Sequence, residues 1–122
     1  MNEQKRKLVS WFDEQITICK QRSELFAADD RMNEGNMEKV RANVYDIFKT
    51  ILSVAEKTCG EDNLAIKNFF LQRAEQIPAN WATAYEKARQ NEDVEKMHIE
   101  SIKLDTIREI KDMFLQIWEG TV

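Results

Sequence analysis

The chain has 122 residues, of which 43% are hydrophobic and 33% are charged, and its net charge is −4. This length suits one domain with one core, predicted over 1–122, and the composition is too apolar for a disordered chain. No apolar run approaches the ~18 residues of a membrane-spanning helix, and the negative charge disfavours nucleic acid as a partner. The basic residues at Lys5 to Lys7 are not followed by the apolar stretch of a signal peptide, so the sequence predicts a cytoplasmic protein.

Turn-forming residues are scarce, with three glycines and one proline in the whole chain. Few β-branched residues alternate with the period of two that a half-buried strand requires. The predicted fold is therefore all-α: an up-down helical bundle of four to five helices with a long antiparallel hairpin.

The first helix is predicted from about Asn2 to Asp29. Its apolar stripe is formed by Leu8, Trp11, Phe12, Ile16, Cys19, Leu25 and Phe26. A polar stretch, 27–36, follows and contains Gly35, so we expect the first turn there. Gly35 or Asn36 is the expected N-cap of the next helix.

The second helix is predicted from about Asn36 to Cys59. Its apolar residues step by three and four positions, which is a heptad seam of almost three repeats: Met37, Val40, Val44, Ile47, Ile51 and Val54. Gly60 is the expected stop, because glycine readily adopts the left-handed conformation that ends helices.

A third helix is predicted from about Asp62 to Gln76, with Glu61 and Asp62 as an acidic cap. Proline lacks a backbone N–H and disfavours helical geometry at the residue before it, so Pro78 is expected to end this helix. A short fourth helix is then expected over about 79–90.

The last helix is predicted over 93–119, with Gly120 as its stop. No glycine or proline separates it from the preceding helix, so one continuous rod is the alternative. The phrase beginning at Arg31 and ending at Val40 resembles the phrase from Arg89 to Met97, which favours a second turn with Asp93 as N-cap.

Candidate chemical groups do not cluster in the sequence. His98 is the only histidine, and with Glu95 it forms a Glu-x-x-His pair, but di-metal bundles need a second such motif. Cys19 and Cys59 fall far apart in the expected hairpin and are interpreted as buried thiols in a reducing compartment. The carboxylates fall on polar helix faces, and no phosphate-binding glycine loop is present. No enzyme activity, cofactor or metal site is predicted.

The predicted role is a non-enzymatic protein-protein interaction module, a small adaptor or regulator that forms a homodimer. Tryptophan is enriched at interface hot spots, and the last turn is expected to leave Trp118 little to cover it. The candidate interface residues are Trp11, Phe114, Leu115 and Trp118. The alternative is a small-molecule-binding bundle with an apolar cavity into which His98 or Tyr85 would point.

Overall fold

The computed structural model describes residues 2–120, which form four helices: α1 (Glu3–Ala28), α2 (Met32–Cys59), α3 (Asn63–Gln90) and α4 (Val94–Trp118). Three-residue links join them, so successive helices run antiparallel, as in an up-down bundle. The all-α prediction is confirmed, with four helices in this part of the chain. α2 and α4 contact each other across the bundle, whereas the backbones of α1 and α3 stay apart over 2–120.

Four phenylalanines, one from each helix, form the centre of the bundle: Phe12, Phe48, Phe70 and Phe114. All four are fully buried. The Phe70 ring stacks on Phe114 with centroids 4.1 Å apart and meets the edge of Phe48 at 5.8 Å. These rings join α2, α3 and α4, so the two hairpins share one core.

The two hairpin turns have the same backbone geometry. Asp30 and Glu92 both adopt the left-handed conformation, with φ of 57° and 55°. The next residue in each turn donates its N–H to a carbonyl five positions back, Arg31 to Phe26 and Asp93 to Ala88, both at 2.8 Å. This is the Schellman ending of a helix, built twice at positions that differ by 62.

The same spacing of 62 relates ion pairs of the two hairpins. Lys49 bonds Asp13 in the first hairpin, and Lys111 bonds Glu75 in the second. The two hairpins are therefore structural repeats of each other, although few of their equivalent residues are identical. The identical pairs are Lys5 and Lys67, Glu24 and Glu86, Glu38 and Glu100, and Lys49 and Lys111.

Three boundary predictions are confirmed and one is wrong. Gly60 ends α2 with φ of 66°, and the side chains of Asp62 and Asp93 cap α3 and α4. The first turn lies at 29–31, within the stretch 27–36 predicted for it, but neither Gly35 nor Asn36 is the N-cap, because both are inside α2. A Cβ at Gly35 would lie 3.2 Å from the carbonyl oxygen of Ser23, so glycine lets α1 and α2 approach closely there.

The predicted helix break at Pro78 is also wrong, because α3 runs through it to Gln90. An interior proline removes one backbone hydrogen bond and costs about 3 kcal/mol. Packing on both sides of the proline outweighs that cost: Phe70 and Ala74 are buried before it, and Ala88 is buried after it.

The heptad seam predicted for α2 coincides with its buried apolar face only at Val44. The buried apolar residues of α2 are Val44, Tyr45, Phe48, Leu52 and Ala55. They face the other helices, so the seam is rotated to the flank of α2 and two of its members, Ile47 and Val54, are exposed. Within 2–120, no helix combines the length and hydrophobicity of a membrane-spanning segment.

Candidate functional site

The C-terminal end, where an interface was predicted, is covered by the chain itself. Phe114 is fully buried, and Trp118 is 7% exposed. Their rings stack with centroids 5.0 Å apart, and the Trp118 indole N–H donates to the carbonyl oxygen of Asn63 at 2.9 Å. The expectation that Trp118 would have little to cover it is wrong, because the start of α3 lies against it.

Trp11 and Leu115, the other two predicted interface residues, are half-buried and pack against the core. The Trp11 ring meets the edge of Tyr45 with centroids 5.6 Å apart. The structure therefore brings Phe114 and Trp118 together in the core and leaves Trp11 on α1, in contact with α2.

A different apolar surface remains on α2. Val40, Ile47, Ile51 and Val54 lie at steps of seven, four and three residues, which keep them on one side of the helix, and form what we call the α2 stripe. Ile47 is 40% exposed and Val54 is 44% exposed, whereas Val40 and Ile51 are half-buried. The stripe turns away from α1, because Lys49 and Glu56, which bond α1 side chains, point to the other side of α2.

The two exposed positions of the stripe are polar in α4, whereas Val40 and Ile51 correspond to Ile102 and Met113. At a spacing of 62, Glu109 takes the place of Ile47, and Gln116 takes the place of Val54. Burial, together with the facing Glu109 carboxylate, raises the pKa of the Tyr45 hydroxyl. Glu109 is exposed and lies beside the Tyr45 hydroxyl, whereas its counterpart Ile47 exposes apolar surface.

A second feature is a groove of about 300 Å³ between α1 and α2, close to the first turn. It is lined by Cys19, Lys20, Ser23, Glu24, Glu38, Lys39, Ala42 and Asn43. Glu38 is 5% exposed, and its Oε1 accepts a hydrogen bond from Arg41 at 2.7 Å. Its Oε2 is buried and has no hydrogen-bond partner within the described residues.

The groove also contains a buried thiol. Burial raises the pKa of Cys19 to about 11, and the neighbouring Glu38 carboxylate raises it further than Arg41 and Arg22 lower it. A thiol held in its neutral form is a poor nucleophile. The Cys19 thiol is therefore poorly suited to nucleophilic chemistry.

The second hairpin repeats the glutamate but not the groove. Glu100 is 5% exposed, its Oε1 pairs with Lys103, and its Oε2 is buried without a partner among residues 2–120. The pocket beside it is lined only by α4 and its N-cap. Trp81, at the position equivalent to Cys19, is half-buried and has the Lys103 ammonium 5.7 Å from its ring centroid. The larger side chain occupies the side that is open in the first hairpin.

Sequence reasoning missed Glu38 and Glu100 because it assigned all carboxylates to polar faces. The identity of the two residues at a spacing of 62 was the available signal. His98, in contrast, is exposed, and within 2–120 no three His, Cys, Asp or Glu side chains are placed to hold a metal ion. Both cysteines are free; Cys19 is buried as predicted, whereas Cys59 is only half-buried.

Comparison with known proteins adds no relative: no family model, no curated protein and no solved structure matches this chain.

Proposed function

We propose that this chain is a protein-protein interaction module that pairs with a second copy of itself through the α2 stripe. The observation that carries the proposal is the exposure of Ile47 and Val54 on one face of α2, where the equivalent face of α4 presents Glu109 and Gln116. Burying such aliphatic side chains against a partner is favourable by about 25 cal/mol per Å².

Charge complementarity favours a second copy as the partner. In an antiparallel pairing about a two-fold axis, Ile47 of one copy faces Val54 of the other, and Ile51 lies near the axis. In the same register, Asp46 of one copy lies within about half a helical turn of Lys57 of the other copy. The two-fold axis forms this pair twice. Within 2–120, neither Asp46 nor Lys57 makes an ion pair in the isolated chain, so both are available.

The size of the surface predicts a dimer of modest affinity. From Val40 to Val54 the stripe is about 21 Å long at ~1.5 Å per residue. Stable interfaces usually bury ~800 Å² on each partner, and a single helix face of this length offers less. We therefore expect association in the micromolar range.

Sedimentation equilibrium tests the proposal directly. The wild-type chain is expected to dimerise at micromolar concentration, and the double variant Ile47→Glu/Val54→Gln, which copies α4, is expected to be monomeric. Leu64→Gln is the control, because Leu64 is 66% exposed on α3, outside the stripe. A wild-type chain that stays monomeric at several hundred micromolar would refute the proposal.

A charge exchange tests the antiparallel register. Asp46→Lys is expected to weaken the dimer, and adding Lys57→Asp is expected to restore it. Trp11 and Leu115 are the sequence-predicted interface residues that keep exposed surface. If Trp11→Ala abolished the dimer while Ile47→Glu preserved it, the interface would lie on α1 and not on α2.

The cellular setting of the proposal is the cytoplasm, which the two free thiols support because reducing compartments preserve them. Two of the basic residues near the N-terminus are engaged within the chain: Lys5 bonds Glu56, and Arg6 bonds Glu3. A central apolar cavity for a small molecule is not adopted as the function, since the four core phenylalanines occupy the axis of the bundle.

A further inference from the structure

The core that joins the two hairpins extends over only part of their length. Its buried residues are confined to four segments: 8–19, 44–55, 66–74 and 107–118. The parts nearer the two hairpin turns, 20–43 and 82–105, contribute no buried residue to this core. We call these two segments, which correspond at a spacing of 62, the arms, and the rest of the described chain the base.

The interior of each arm is mostly small or polar. The first arm buries Ser23, Gly35 and Glu38, and the second buries Ala88, Glu100 and Ile102. Only Ile102 among them is a large hydrophobic side chain. Stabilisation by burial grows with the apolar area removed from water, so packing stabilises the arms much less than the base, which contains the four central phenylalanines.

The ion pairs follow the same division. Those that join two helices all lie in the base: Lys5–Glu56, Lys49–Asp13, Lys67–Glu119 and Lys111–Glu75. Those inside the arms each join residues three positions apart on one helix: Arg31–Glu34, Arg41–Glu38, Arg89–Glu86 and Lys103–Glu100. A pair of this kind stabilises its own helix slightly and does not hold two helices together.

A basic residue marks the boundary between base and arm in both hairpins. Arg41 lies seven residues before Phe48, and Lys103 lies seven residues before Ile110, so both fall on the core-facing side of their helices. The apolar face of α2 and that of α4 are therefore interrupted at equivalent positions. The Lys103 ammonium lies over the Trp81 ring, a contact across this boundary that stays within the second hairpin.

We propose that the arms are a conformational device: each arm unfolds and refolds on its own while the base stays folded. Segments with few buried apolar contacts open at a lower free energy than the whole chain unfolds. Opening gives water and solutes access to Glu38 or Glu100, which the closed arms shield. The device does not require a second copy of the chain.

Native-state hydrogen exchange, followed by NMR at a series of low urea concentrations, tests the proposal. The slowest amides of each arm are expected to exchange at least about tenfold faster than the slowest amides of the base. Their exchange should depend weakly on urea, because opening an arm exposes little surface, whereas exchange in the base should follow global unfolding. Equal protection and equal urea dependence in arms and base would overturn the proposal.

A matched pair of variants on α4 separates the two units. Leu104 and Leu115 are both half-buried, about three helical turns apart, and only Leu115 packs against the shared core. Leu104→Ala is expected to speed exchange in 82–105 about tenfold and to leave the base unchanged. Leu115→Ala is expected to speed exchange in the base about tenfold and to leave both arms unchanged.

Equal acceleration of arm and base in either variant would also overturn the proposal, because it would show a single cooperative unit. The Ile47→Glu/Val54→Gln variant, whose two substitutions lie in the base and are expected to prevent dimerisation, is expected to keep exchange faster in the arms than in the base. Failure of the dimer and failure of the arms are therefore distinguishable.

Discussion

The α1–α2 hairpin and the α3–α4 hairpin turn through the same three-residue geometry and bury the same glutamate, yet their surfaces differ. The first hairpin has small residues beside Glu38 and exposes the α2 stripe. The second has Trp81 on the equivalent side of Glu100, and it has Glu109 and Gln116 where the stripe exposes Ile47 and Val54. The turn geometry and the buried glutamate are common to both hairpins, whereas the small residues beside Glu38 and the exposed Ile47 and Val54 occur in the first hairpin alone.

This difference is the reason why we place the proposed function on the first hairpin. A residue pattern that both hairpins share is explained by the needs of the fold. A pattern found in one hairpin alone is not required by that frame, because the other hairpin forms without it. Both the groove and the α2 stripe fall in the second class, and both belong to the first hairpin.

The largest effect on stability is expected from a substitution in the core that the two hairpins share. Phe70→Ala removes a fully buried ring that contacts Phe48 and Phe114, and should destabilise the fold by about 3–5 kcal/mol. Urea unfolding followed by circular dichroism measures it. Phe69→Ala is the control, because Phe69 is half-buried at the edge, with the Arg73 guanidinium over its ring, and should lose only about 1 kcal/mol.

A hairpin that unfolded on its own in Phe70→Ala would contradict a common core. Loss of α1 and α2 signals together with those of α3 and α4 is the expected result. A smaller loss for Phe70 than for Phe69 would show that the stacked rings do not hold the hairpins together.

A second effect is specific to the first hairpin and depends on pH. The pKa of Cys19 is about 11 in the folded chain against an ordinary 9.0, so the neutral thiol stabilises the fold fully below pH 9. That contribution is lost as the pH rises from about 9 to 11, and it amounts to at most about 2–3 kcal/mol.

Cys19→Ala should therefore flatten the dependence of unfolding free energy on pH between about 9 and 11. Denaturant curves at a series of pH values give this slope. Tyr45, whose pKa is also raised by burial, keeps contributing to the alkaline loss in both proteins. An identical slope in wild type and variant would show that Cys19 is not held neutral by its surroundings.

The helical content and most helix ends followed from local sequence, because caps and stops act within one turn of the chain. Asp62, Asp93 and Gly60 are examples, and each works through a backbone group a few residues away. The helix break predicted at Pro78 was wrong for the opposite reason. Its local cost is real, but contacts made by residues before and after it lie outside any local window.

The second turn was predicted correctly, but from an incorrect alignment of the two hairpins. Pairing Arg31 with Arg89 gave the second turn, but the structure pairs Arg31 with Asp93, four residues further on. Gly35 suggested a turn because glycine usually marks one, whereas here it permits close contact between α1 and α2. Only isolated identical residues mark the spacing of 62 in the sequence. The short phrase that recurs at Arg31 and Arg89 was therefore the stronger match.

Neither candidate surface could be derived from sequence alone. The heptad pattern of α2 predicted a buried seam, and only the arrangement of α3 and α4 decides which flank of α2 is covered. The groove depends on how near α1 and α2 approach at Cys19 and Glu38. Single-helix patterns carry no information on that distance.

The smallest expected effect tests how alike the two turns are. Asp30 and Glu92 adopt left-handed backbone conformations, with φ of 57° and 55°, that strain residues with a Cβ. Replacing Glu92 with glycine should relieve this strain and stabilise the fold by about 0.5–1 kcal/mol, net of the greater freedom of glycine in the unfolded chain. Asp30→Gly should gain less, since aspartate tolerates this conformation better than glutamate does. Urea midpoints at equal m-values measure both changes, and a loss of stability in either variant would mean that the side chain, and not the backbone geometry, holds that turn.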